Sequence, residues 1–205
     1  MGWLYQYDPV ENPVAHLTAK CNYDNERRTL QALAAARVGN TVYMAIKSTD
    51  KATGESYVFA AVILISNTKK HGFGYKDMDE SMGPCQCDCP ARIMRLLTPI
   101  ADLPSPGYAA DWRARVEARN NAKRLQRARR QSLRIGSIVT LPSPATFPGG
   151  LTASTFRVVD FWRRTPVFLA LDELLPGFRC RLTAATLAAA TITDAQPSDL
   201  NKEGV

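Results

Sequence analysis

Two segments of this 205-residue chain hold residues whose types and spacing could do chemistry. The first is Phe73 to Pro90, where Cys85, Cys87 and Cys89 alternate with other residues and follow the acids Asp77, Asp79 and Glu80. A zinc site would use Cys21, Cys85, Cys87 and Cys89, because four thiolates satisfy a tetrahedral ion. The spacing opposes it: paired ligands usually stand about two to four residues apart, and a one-residue gap strains a shared tetrahedron. His16 and His71 could substitute, but neither lies at a diagnostic interval. A nucleophile would be Cys89. If Asp88 caps a helix that Cys89 and Pro90 open, the positive helix end lowers the thiol pKa, although no base for it is evident. Asp77, Asp79 and Glu80 could meet a hard cation, but without the ligand order of a calcium loop. The preferred reading is structural: Gly74 and Gly83-Pro84 form turns, the acids face water, and the thiols pack as small apolar groups.

The second segment is a run of cations. Arg113, Arg115, Arg119, Lys123, Arg124, Arg127, Arg129 and Arg130 face a single anion, Glu117, so this stretch carries +7, the whole formal charge of the chain. Seven of the eight are arginine, whose forked donors match phosphate oxygens. Nucleic acid or an acidic host protein or nucleoprotein complex is therefore the expected partner. The other possibility is a solvated linker helix.

These residues need elements to hold them. Tyr108 to Gln131 has neither Pro nor Gly, is rich in Ala and Arg with Lys, Leu and Gln among them, and predicts one long helix with a thin apolar stripe through Trp112 and Val116. Before it, Thr29–Val38, Thr41–Thr49 and Ser56–Ser66 are apolar runs separated by Gly39-Asn40 and by a polar stretch around Gly54. Those breaks predict an antiparallel meander, although Leu30 to Ala36 has helical propensity. The continuous run Tyr57 to Ile65 suggests a central strand covered on both faces, with a helix at Ala91–Leu97 as one cover. Val14 to Cys21 could be helix or strand. After the basic helix, short β-rich runs divided by Pro and Gly suggest a small SH3-like β-barrel.

The expected class is therefore α+β. Its parts are an N-terminal meander packed with helices and carrying the cysteine loop (1–104), a basic helix or linker (105–134), a small barrel (135–195) and a polar tail (196–205). The longest apolar run is about half of a bilayer span, and the first residues fit neither a secretory signal nor a myristoylation site. Five cysteines, an odd number at irregular spacing, suggest reduced thiols and a cytoplasmic setting. No cofactor is expected, zinc on the cysteines being the alternative.

The run Phe73 to Cys85, followed by Asp88-Cys89-Pro90, Leu96-Leu97-Thr98-Pro99 and Asp111-Trp112-Arg113-Ala114-Arg115, resembles a family of small uncharacterised proteins carried by bacteriophages and plasmids. The resemblance covers roughly residues 1 to 130. It implies an accessory role on a mobile element and brings no catalytic residues with it. The leading expectation is a binding protein acting through its basic helix, with counter-defence as one use. A thiol enzyme centred on Cys89 and a zinc-stabilised interaction module are the alternatives.

Overall fold

In a computed structural model describing residues 2–6, 10–68, 72–172 and 176–193, the chain is a mixed α and β protein with two antiparallel sheets. It divides into two compact units, Met1–Asn121 and Ala122–Val205. His71 and the tail from Gln196 lie outside the described residues.

The first unit is built on a six-stranded sheet. Its strands are β1 (Leu4–Gln6), β2 (Tyr23–Asp24), β3 (Arg28–Val38), β4 (Thr41–Asp50), β5 (Ser56–Thr68) and β6 (Gly72–Asp79), in the order β1-β6-β5-β4-β3-β2. Val38 pairs with Thr41 across Gly39-Asn40, and Gly39 takes φ 58°, which lets the two-residue turn follow the strand twist. In the β4–β5 loop, Asp50 Oδ1 accepts the N–H groups of Ala52 and Thr53. The meander therefore follows the turn chemistry. The segment expected to be a loop from Phe73 onward is a strand, because β6 pairs with β5 on one side and β1 on the other.

The middles of β4 (Val42–Ile46) and β5 (Tyr57–Ile65) are continuously apolar because both sheet faces are covered. Val42, Met44, Ile46, Ala61, Ile63 and Ile65 join a core with Leu17 of helix α1 (Pro13–Cys21). The intervening Tyr43, Ala45, Ala60 and Val62 join a second core with Ile93 of α2 (Ala91–Met94) and with Trp112 and Val116 of α3 (Ala109–Ser132). Residues 14–21 resolve as helix: Pro13 opens α1 and the Asn12 side chain caps it by accepting the Ala15 N–H at 3.1 Å. The Leu- and Ala-rich β3 is a strand despite its propensity, since pairing with β4 satisfies its backbone. A register shift between Ala32 and Ala34 leaves Leu33 exposed and reverses which residues face each core.

Helix α2 is shorter than expected. Its backbone tightens into i→i+3 bonds at Leu96 and Leu97, and Leu96 points outward while Ile93, Met94 and Leu97 pack inward.

The second unit contains the rest of α3 and a five-stranded sheet of β7 (Ile138–Thr146), β8 (Thr152–Trp162), β9 (Thr165–Ala170), β10 (Arg179–Cys180) and β11 (Thr191–Thr193). The order is β10-β9-β8-β7-β11: four strands run in sequence, and the last returns to the first. Helix α4 (Ala184–Ala189), absent from the sequence reading, makes that return, with Thr183 as its cap. Phe156 and Phe168 fill the core, and Phe147 packs edge-on against Phe156 and Phe178. Among the described residues, no helix is long and apolar enough to cross a membrane.

Candidate functional site

The division between the units falls inside α3, and so does a division of labour among its cations. In the first half the arginines are turned inward on the cysteine segment. Arg113 meets Glu80 through two bonds of 2.6 Å and donates a third, also of 2.6 Å, to the Thr98 carbonyl. Glu80 opens a short 3₁₀ turn, Glu80–Met82, and its carboxylate also accepts the Ala60 N–H of β5 at 3.2 Å. With both side chains nearly covered, at 11% and 2% exposed, this pair is an internal fastener. Arg115 donates to the carbonyls of Gly83 and Pro84, and Arg119 pairs with the Asp88 carboxylate. Trp112 Nε1 donates to the Gln86 carbonyl at 2.9 Å, and Asn120 to the Cys89 carbonyl at 3.0 Å. One helix face thus satisfies the backbone of an otherwise irregular segment.

Two glycines permit close approaches around this segment. Gly74 lies opposite Tyr5, whose ring would stand 2.6 Å from an added Cβ. Gly107, at φ 50°, lets the start of α3 approach the 3₁₀ turn, so that Tyr108 N–H reaches the Ser81 carbonyl at 2.9 Å.

Cys89 is not placed as a nucleophile. Helix α2 starts at Ala91 with Pro90 in the cap position and no side-chain cap, so Asp88 does not cap it and Cys89 lies outside its first turn. Asp88 is engaged elsewhere, its N–H on the Tyr43 hydroxyl and its carboxylate on Arg119. The Cys89 thiol is 0% exposed. Burial, with the Glu80 charge adding, pushes its pKa up to about 12, the reverse of what a reactive thiolate needs. The Tyr43 hydroxyl is raised to about 12 as well, chiefly by burial.

The four thiols considered for zinc are also separated. Cys21 packs with the α1-side core, Cys87 and Cys89 with the opposite core, and Cys85 is exposed. His16 stands edge-on to Phe73 on the α1 side. Asp79 caps the 3₁₀ turn through the Ser81 N–H, while Glu80 belongs to Arg113, so the acids do not converge either. Among the described residues, no group of three or more His, Cys, Asp or Glu side chains could hold a metal ion.

The second half of α3 differs. Lys123, Arg124, Arg127, Arg129 and Arg130 follow one another with no acid after Glu117. Arg129 donates to the Leu187 carbonyl at the end of α4. Arg124, Arg127 and Arg130 are exposed and have no side-chain partner among the described residues. Residues 122–205 hold twelve cations against six anions, a net of +6, whereas residues 1–121 hold fourteen against thirteen, a net of +1. Cations outside the helix in the second unit, such as Arg163, Arg164 and Arg181, escaped the sequence reading because they are scattered among turns and strand ends.

Residues 104–185 match the model of a family described as a domain of unknown function (DUF6927). The match covers less than half of the chain and joins the whole of α3 to strands β7 through β10. No curated protein and no solved structure matches the chain.

Proposed function

We propose that this chain is a nucleic-acid-binding accessory protein of mobile-element origin, acting in the cytoplasm on nucleic acid or a host nucleic-acid complex through the second half of α3. Interference with host defence is one use that such binding would serve. The observation that carries this reading is the partnerless row Arg124, Arg127 and Arg130. Like charges three or four apart on a helix each cost about 0.2–0.5 kcal/mol, a cost that an anionic partner reverses. Arg113, Arg115 and Arg119 drop out of the contact set, because they hold the cysteine segment. The +6 of the second unit favours a polyanion over a single acidic side chain. The strand order, in which β11 returns to β7, supports a small barrel of SH3-like kind as the platform for the helix.

The test is a binding titration of the full chain against single-stranded DNA, duplex DNA and RNA. Arg124→Glu/Arg127→Glu/Arg130→Glu should lose binding at moderate salt while keeping the wild-type circular dichroism. Equal affinity of wild type and variant for all three would sink the proposal.

A further inference from the structure

The β8–β9 hairpin carries a second feature that the basic helix does not explain. Trp162 pairs with Thr165, so Arg163 and Arg164 are the two central residues of the turn, at φ 47° and 66°. A two-residue hairpin with both φ values positive strongly prefers Asn-Gly, because a Cβ is disfavoured there. Every other positive φ among the described residues belongs to glycine. This turn therefore sets two arginines where the backbone would be more stable with none.

The arginines are also gathered around an aromatic ring. The guanidinium carbons of Arg163 and Arg181 lie 4.7 and 4.4 Å from the centre of the Trp162 ring, within cation–π range. Trp162 itself remains 49% exposed at the hairpin's end. None of Arg163, Arg164 and Arg181 has an acidic partner among the described residues. The nearest acid in sequence, Asp160, is hydrogen-bonded to the Phe161 N–H. An exposed indole thus holds like charges together at a strained turn, with no acidic partner among the described residues.

We infer that the β8–β9 hairpin tip is a contact site for single-stranded nucleic acid, in which the Arg163 and Arg181 guanidiniums swing off the Trp162 ring onto phosphate oxygens beside Arg164, and Trp162 receives an unpaired base on the ring face so freed. This rests on the proposed nucleic-acid function and adds its strand preference. Guanidinium forks suit phosphate, and an aromatic face accepts any unpaired base, whereas a duplex keeps its bases stacked inside. An acidic protein surface would use the cations but gain nothing from the ring.

The experiment uses the full chain, with fluorescence anisotropy of labelled oligothymidylate, a labelled DNA duplex and labelled polyglutamate. Trp162→Ala should weaken oligothymidylate binding ~5- to 150-fold, the equivalent of one lost stacking contact, and leave duplex binding nearly unchanged. Arg163→Asn/Arg164→Gly installs the favoured turn, so it should raise the calorimetric Tm by at least ~4 °C while also weakening oligothymidylate binding. That pairing of a better fold with poorer binding separates a binding role from a structural one. If wild type binds oligothymidylate and both hairpin variants bind as well as it does, the hairpin inference fails and the helix reading stands. If wild type binds neither nucleic acid, or binds only polyglutamate, both fail.

Discussion

Replacing Arg113 by Met tests whether the first half of α3 is a fastener. Glu80 is nearly covered, and its carboxylate has two bonds to Arg113 at 2.6 Å and one longer bond from the Ala60 N–H. Arg113→Met keeps the apolar stem but strands a buried carboxylate on a single backbone donor and frees the Thr98 carbonyl. Removing one partner of such a pair typically costs ~3–5 kcal/mol, against ~5–15 kcal/mol for a whole domain. With a urea m-value of about 2 kcal/mol/M, the unfolding midpoint should fall by roughly 1.5–2.5 M. The assay follows Trp112 fluorescence in a Trp3→Phe/Trp162→Phe background, since Trp112 is buried beside the pair in the first unit. Glu80→Met/Arg113→Met removes both charges and should recover much of the loss, because a buried pair can be replaced by apolar groups at little cost. A loss below ~1 kcal/mol for Arg113→Met would place the pair with exposed salt bridges and refute the fastener role.

Three further outcomes follow from the same packing. Cys89 should resist iodoacetamide in the folded chain up to pH 9 while Cys85 is alkylated, as read by peptide mass spectrometry; rapid labelling of Cys89 would contradict its burial. The Cys89 pKa is raised from 9.0 to about 12, so above pH 9 the unfolded chain releases a proton that the folded chain keeps. Stability should therefore decline between pH 9 and 12, and Cys89→Ala, although destabilised by a small cavity, should show a shallower decline. Gly107→Ala would set a Cβ 2.7 Å from the Ser81 carbonyl at a positive φ, and should lower stability by ~1–3 kcal/mol in the urea assay.

Much of the framework was legible because its signals are local. The Gly39-Asn40 turn, the Asp50 loop and the Pro- and Gly-free stretch behind α3 each state their conformation within a few residues. Strand β6 was not legible, since Gly74 and the charges of Lys76, Asp77 and Asp79 lower its strand propensity, and it is fixed by pairing with β5 and by the Tyr5 ring over Gly74. The division of the basic helix was hidden for a related reason. Glu80 and Asp88 lie 33 and 31 residues from the arginines they meet, so a cation bound inside the fold and one left in water look alike in sequence. Cys89 misled because its dipole argument depended on where α2 begins, and Pro90 takes the cap position that Asp88 was expected to hold. The hairpin arginines carry no local flag, because an Arg-Arg turn at positive φ opposes the turn preferences by which hairpins are recognised.

In the proposed function the cations of α3 fold the protein in its first half and bind a polyanion in its second. The most direct measurement is the salt dependence of single-stranded DNA affinity for wild type, Arg119→Ala and Arg124→Ala/Arg127→Ala/Arg130→Ala. Each phosphate contact contributes about 0.7 to the slope of log affinity against log salt. The slope should be shallower by about 2 in the triple variant and unchanged in Arg119→Ala. Equal slopes for wild type and the triple variant, or a loss carried by Arg119→Ala alone, would contradict that division of the helix.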